Sequence, residues 1–403
     1  MRRILSCTAA AALLVAGCAG DSSEQETIGP IDSENGEDTA DPTEEPATGE
    51  QPDTEDPEEN DAAPVTGITI TEQAELSSPW AMEFLPGTEY LLITERTGAL
   101  QLRDQETEEI QEVSDAPEVD SAGQGGMHDV IAGPSFEQDQ TVYLSWVQTT
   151  DDGRQGVVGR AQLNAEEPSL EHLEVIWEQD PASGNGHYSL RMVIHDDHLF
   201  VTSGDRQELE PAQDMANNLG TVVRLTLDGE PAPGNPLEDQ AAPADEFWTV
   251  GHRNPLGIAV DSEGNLWSSE MGPEGGDELN LLVEGANYGW PEVSMGVHYS
   301  GEEIPDHSDD DEFEAPRAHW VPAISPGNLL IYQGELFTGW QSSALLGGLS
   351  GQNLVRVELD GVDAEQVDEW DMGDRIRALA EAPDGAIWIA TDSGRLLEAR
   401  PAD

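Results

Sequence analysis

Near its end the chain reads Pro383-Asp384-Gly385-Ala386-Ile387-Trp388-Ile389-Ala390-Thr391, then Asp392-Ser393-Gly394, then Arg395-Leu396-Leu397-Glu398-Ala399. A Pro-Asp-Gly turn leads into an apolar, aromatic run too short for a helix. A second Gly turn leads into a run that alternates. Turn residues at both ends and β-branched or aromatic residues between them are the marks of antiparallel strands. The same grammar recurs upstream. Leu85-Pro86-Gly87 precedes Tyr90-Leu91-Leu92-Ile93-Thr94, Asp196-Asp197 precedes Leu199-Phe200-Val201-Thr202, and Glu263-Gly264-Asn265 precedes Leu266-Trp267. Val142-Tyr143-Leu144-Ser145 and Leu345-Leu346-Gly347-Gly348 fit more loosely. Alternating runs follow at 98–103, 222–227, 354–359 and 394–399. Six such units, irregularly spaced, with no amphipathic helical stretch, predict an all-β chain folded as a six-bladed β-propeller. A pair of β-sandwiches and a seven-bladed ring are the competing architectures.

Composition narrows the function classes. Of 403 residues, 83 are Asp or Glu and 16 are basic, all of them Arg, for a formal net charge of −67. A chain without basic clusters does not bind nucleic acid, and its folded part is repelled by an anionic membrane. A Lys-free acidic surface suits high salt. Base-composition bias would explain the missing Lys but not the excess acid. The N-terminus has Arg2 and Arg3, a short apolar core and Val15-Ala16-Gly17-Cys18. It reads as an export signal over 1–17 with a bacterial lipobox, Cys18 becoming the lipidated residue; an ordinary secretory signal is the alternative. With Cys7 inside the signal, no intramolecular disulfide is expected. Residues 21–64 hold 17 acids, no Arg and no apolar periodicity. Such a stretch buries too little to offset its ordering entropy, so 18–64 is expected to be a disordered acidic tether and 65–403 the propeller. The expected location is the extracytoplasmic side of a membrane, held only through the lipid.

Three phrases carry chemistry. In 251–257, GHRNPLG, Pro and flanking Gly constrain a loop that presents His252, Arg253 and Asn254. In 271–282, MGPEGGDELNLL, backbone carbonyls of Gly272 and Pro273 and the carboxylates of Asp277 and Glu278 are hard oxygen donors of the kind Ca²⁺ takes. GANYGWP follows at 285–291. Asn185-Gly186-His187-Tyr188 sets another histidine among small residues. Each has a plainer reading. Asp277 and Glu278 are two acids in an acidic chain. Arg375 and Arg377, two apart on one strand face, serve equally as ion-pair partners. His128, His195 and His198 read as ordinary histidines. Most Trp residues read as blade filling.

Taken together, these phrases resemble the glucose/sorbosone dehydrogenase family of soluble pyrroloquinoline-quinone (PQQ) aldose dehydrogenases. SPWAMEFLP at 78–86, GQGGMHDV at 123–130 and SGDR at 203–206 support the resemblance, which runs from about residue 70 to 400. It implies a six-bladed propeller, PQQ and Ca²⁺ as cofactors, and oxidation of an aldose at C1 to a lactone. By position, His187 matches the catalytic base and Arg253 the arginine at the quinone's reactive carbonyl, with Asn254 beside it. Gln124, Asp205, Arg375 and Arg377 match cofactor-pocket positions, and Trp320 a wall of the cofactor plane. Gly272 and Pro273 match backbone ligands of the calcium at PQQ, and Glu278 and Tyr288, the latter through its carbonyl, a further calcium pair. Where several members carry a cofactor-binding Lys, this chain has Leu349-Ser350-Gly351-Gln352. The partners implied are a small aldose and an unspecified electron acceptor, for a monomer or homodimer. A Ca²⁺-dependent propeller hydrolase and a non-catalytic surface propeller are the alternatives. No GxGxxG loop follows a strand, which disfavours a nicotinamide enzyme.

Overall fold

The computed structural model describes residues 25–31, 65–308 and 310–402. Six antiparallel sheets stand around an axis, five of four strands and one of five. The second strands of the six blades are Tyr90–Glu95, Thr141–Thr150, His198–Ser203, Leu266–Glu270, Ser343–Gly347 and Ile387–Thr391. These are the six segments read from the sequence, so the blade count expected there is the one observed. The sequence suggests half-buried strands, yet Ile387–Thr391, Leu266–Glu270 and Ser343–Gly347 are buried throughout. Each blade is covered on both faces by its neighbours, so both sides of a central strand are core. The one α-helix among the described residues is the four-residue turn Phe136–Asp139.

The last blade closes the ring. Its strands Ile376–Glu381, Ile387–Thr391 and Arg395–Pro401 come from the C-terminal end, and Ile68–Glu75 adds to Arg395–Pro401 from the other end of the chain. A fifth strand, Gln25–Ile28, then pairs with Ile68–Glu75 in register Gln25↔Thr71 to Ile28↔Ile68. This corrects the expectation of a tether running unbroken to residue 64. Residues 25–28 satisfy backbone groups on an otherwise open sheet edge, and that gain does not need apolar side chains. Further along, the Ile31 amide donates to the Glu369 carbonyl at 2.8 Å, and Trp340 Nε1 donates to the Val65 carbonyl at 3.0 Å. Cys18, the signal segment and most of the acidic stretch lie outside the described residues.

Large aromatics fill the gaps between blades. Trp340 stacks at 4.5 Å on Phe337 and at 5.0 Å on Trp370, all fully buried. Burying side chains of this size contributes roughly 1.5–3 kcal/mol each. Trp320 belongs to this class. It packs in one cluster with Trp267, Leu279, Leu346 and Val355, its Nε1 donating to Gln366 at 2.6 Å. The expectation that it walls a cofactor plane is therefore corrected. Trp320 sits on the outermost strand of the fourth blade, where the next blade covers it.

The inner strands Pro79–Phe84, Met127–Ala132, Ser189–His195, Pro255–Val260, Leu330–Ile331 and Ile376–Glu381 line the axis. Five of the six carry a register shift at their start. Such bulges bend a strand and re-aim side chains, and all five stand at the same end of the molecule.

Candidate functional site

That end collects the loops before the inner strands and those between second and third strands. His187 comes from one of the former, after the second blade. Its backbone is left-handed at φ 46°, and Ser189 and Leu190 follow at 60° and 62°. Residues with a Cβ adopt this only at a cost of order 1 kcal/mol or more each, so other contacts must hold it. The His187 amide donates to Gln124 Oε1 at 2.7 Å, Ser189 Oγ to Asn254 Oδ1 at 3.1 Å, and Ser145 Oγ to the Leu190 carbonyl at 2.7 Å.

His187 Nδ1 lies 2.7 Å from Asp205 Oδ1. Asp205 is fully buried, its Oδ1 also accepting the Gln207 amide at 2.8 Å and its Oδ2 accepting Trp290 Nε1 at 2.8 Å. A carboxylate that accepts on both oxygens in this way makes Nδ1 the protonated nitrogen and leaves the Nε2 lone pair outward. Nε2 has no hydrogen-bond partner among the described residues. Burial holds the ring's pKa below its ordinary value; Asp205 pulls against this, and the Arg253 guanidinium adds to it. The imidazole is thus neutral at neutral pH.

Arg253 stands near enough for its charge to act on His187. Its Nη1 donates to the carbonyls of Met271 at 2.9 Å and Gly272 at 2.6 Å, and Nη2 reaches only the Tyr299 hydroxyl, at 3.4 Å. Its guanidinium sits 5.3 Å from the Trp290 ring centre. Trp290 thereby touches both Asp205, the partner of His187, and the arginine. The amides of Arg253 and Asn254 both donate to Glu270 Oε1. Arg377 is buried, its guanidinium 4.0 Å over the Trp80 ring, and it shares the Asp392 carboxylate with the more exposed Arg375. The expected pocket role and the expected ion-pair role are both compatible with this arrangement. Arg96, Arg154 and Arg206 stand at the same end, Arg154 paired with Asp120 and Arg206 buried over Tyr188, so six arginines gather there.

The expected calcium residues are engaged within the protein as follows. Asp277 clasps the turn: Oδ1 accepts the Gly272 amide at 2.9 Å and Oδ2 the Ser325 amide at 2.6 Å. Burial pushes its pKa up to about 6. Pro273 is buried in that turn, and the Gly272 carbonyl is engaged by Arg253. Glu278 is paired across the sheet with Glu270, and burial followed by that like charge raises its pKa. It accepts from Asn280 Nδ2 at 3.0 Å, while Asn280 Oδ1 is buried with no partner among the described residues. The Tyr288 side chain turns into the blade core, its hydroxyl donating to the Leu281 carbonyl. His252 is fully buried between Thr249 Oγ1 at 2.8 Å and Glu270 Oε2 at 3.0 Å, stacked on Tyr288. His128 is buried edge-on to Trp80, its pKa pushed down to about 3 mainly by burial. Neither histidine offers a nitrogen to the opening.

Trp80, Trp290, Glu270, Asp392 and Tyr299 are site residues that sequence reasoning did not single out. Trp80 and Trp290 lie within quoted phrases, so their signal was present. Glu270, Asp392 and Tyr299 carry none, because they act through contacts from other strands and loops.

The model of the glucose/sorbosone dehydrogenase family matches residues 76–398. The aldose sugar dehydrogenase YliI of Escherichia coli K12 is 33% identical over 353 residues, covering 84% of this chain and 94% of that protein. The crystal structure of the soluble aldose sugar dehydrogenase of Escherichia coli in the apo-form superposes with a TM-score of 0.80 at 31% identity, covering 83% of this chain and 100% of that one. The PQQ-bound aldose sugar dehydrogenase of Streptomyces coelicolor does so with a TM-score of 0.69 at 27% identity, covering 84% and 99%. With its six blades, and by its match to the family model over residues 76–398, the chain belongs to the glucose/sorbosone dehydrogenase family, a family of oxidoreductases.

Proposed function

We propose that this protein oxidises aldose sugars at C1 to lactones, using PQQ and Ca²⁺. The observation that carries the reading is His187, buried and neutral, with Nδ1 locked on Asp205 and Nε2 open beside Arg253. Nε2 takes the proton of the anomeric hydroxyl. Asp205 keeps the ring in its base tautomer and steadies the imidazolium that results. Arg253, with Nη2 lightly engaged, donates to oxygen that gains negative charge as C1 loses its hydrogen. Trp290 holds the acid and the arginine at a fixed spacing. When bound, PQQ supplies the two-electron acceptor for the C1 hydrogen, and Ca²⁺ the Lewis acid beside it.

The residues present fit both groups. PQQ is a tricarboxylate, and Arg253, Arg375 and Arg377 meet carboxylates with a planar fork. A hard dication fits the buried Glu278 carboxylate, opposed by Glu270, with the unpartnered Asn280 Oδ1 next to it. The Gly272 and Pro273 carbonyls would serve a separate Ca²⁺ beside PQQ, Gly272 then exchanging the bond it accepts from Arg253 Nη1. An exported, Cys18-anchored protein passing electrons to a separate acceptor completes the proposal.

Purified protein assayed with a dye acceptor and aldoses, with and without PQQ and Ca²⁺, tests it. Dye reduction and lactone formation are expected only with both added. Lactone hydrolysis without PQQ would replace this reading with the propeller hydrolase. Failure to bind PQQ would leave the non-catalytic propeller.

A further inference from the structure

Most aromatic side chains here are buried, but Tyr299 is 73% exposed. It is held firmly. Val297 exchanges backbone hydrogen bonds with Glu274 at 2.9 and 3.2 Å, and the His298 amide donates to the Glu302 carbonyl at 2.9 Å, closing the turn that carries the ring. Its hydroxyl accepts the long bond from Arg253 Nη2, and the ring centre lies 5.8 Å from that guanidinium. Val297 and Val321, exposed at 36% and 65%, stand on either side of the Glu274–Gly275 turn, Val321 in van der Waals reach of Gly275. An exposed aromatic ring and two exposed valines thus stand near the arginine, among the acidic side chains of Glu274, Glu302 and Glu303.

We propose that Tyr299 is a specificity-determining residue, an aromatic platform for the flat C–H face of an aldopyranose. This rests on the sugar dehydrogenase reading above and adds the ring geometry the site selects. Arg377 and Asp205, expected at the cofactor, are buried within the protein. Tyr299 stands outermost, so it meets the ligand that comes and goes. A neutral ring with polar edges and an apolar face satisfies a guanidinium and an aromatic face together, with few polar contacts fixing its orientation. Pyranoses with equatorial hydroxyls present the flattest such face.

The experiment uses the full chain loaded with PQQ and Ca²⁺, comparing the parent with Tyr299→Ala and Tyr299→Phe on glucose and on galactose, whose 4-hydroxyl is axial. PQQ affinity is read separately, by absorbance titration of the apo-protein. Tyr299→Ala should raise KM for glucose about tenfold, with kcat within about threefold, narrow the glucose–galactose preference and leave PQQ affinity unchanged. Tyr299→Phe should hold KM within about twofold, because the ring remains. An unchanged KM in Tyr299→Ala overturns the platform, as does a fall in PQQ affinity with KM unchanged. A parent that turns over no aldose defeats the sugar dehydrogenase reading and the platform together. An active parent with an unaffected variant defeats the platform alone.

Discussion

Two histidines in this molecule each face a carboxylate 18 residues further on: His187 with Asp205 at 2.7 Å, and His252 with Glu270 at 3.0 Å. They hold equivalent places in successive blades. Each precedes an inner strand, and each partner stands at or just past the end of a second strand. What differs is the far nitrogen. His252 Nε2 meets Thr249 Oγ1, and its ring stacks at 4.6 Å on Tyr288. His187 Nε2 meets no protein group among the described residues. A carboxylate sets the tautomer in both pairs, so the pairing by itself does not mark a base. The neighbour of the second nitrogen separates a brace between blades from a group that can take a proton.

The sharpest break of this comparison is His187→Ala. Loss of a positioned base should lower kcat on the order of 10²–10⁴-fold while PQQ binding, followed by absorbance titration, persists. Turnover near the parent rate with saturating PQQ would remove His187 from its role. Asp205→Asn should cost less in rate and carry a distinctive pH signature. Asp205 raises the His187 pKa against the effect of burial. Without its charge the imidazole protonates only at lower pH, so the acid limb of kcat/KM should move down. A limb that moves up would show that Asp205 acts otherwise.

His252→Ala should behave in the opposite manner. Removing one partner of a buried pair typically costs about 3–5 kcal/mol, read as a lower denaturation midpoint. The kcat of the folded fraction should fall far less than in His187→Ala. An unchanged midpoint with turnover abolished would exchange the roles of the two histidines.

A smaller effect is expected at the ring closure. Deleting residues 1–31 removes Gln25–Ile28 and bares the edge of Ile68–Glu75. With four residue pairs lost, stability should fall by about 1–3 kcal/mol. Thermal denaturation at a temperature unchanged by the deletion would reduce that strand to a passive contact. Were Cys18 lipidated, only residues 19–24 would separate it from the strand, a reach of roughly 20 Å. The smallest effect concerns salt. The Debye length shrinks from ~30 Å at 0.01 M to ~8 Å at physiological ionic strength, so stability should rise with NaCl as acidic self-repulsion is screened. A denaturation temperature indifferent to salt would count against a halophilic surface.

The sequence by itself determined the blade count and the candidate base. Turn residues and short apolar runs are local signals, written at each second strand. The phrases around His187, Arg253 and Gly272 lie on continuous loops, so their residues could be named without coordinates. Tertiary structure decided the rest, because it depends on what approaches from elsewhere in the chain. In the sequence Trp320 reads as a cofactor wall, but in the fold the neighbouring blade covers it. Residues 25–28 looked like tether because pairing at a sheet edge draws on backbone groups and leaves no trace in composition. Arg377 is held between Asp392 and Trp80, which reach it from different blades. The two His–carboxylate pairs show the same division. Their residues and spacing stand in the sequence, but only packing decided that Thr249 and Tyr288 close one ring off and leave the other open.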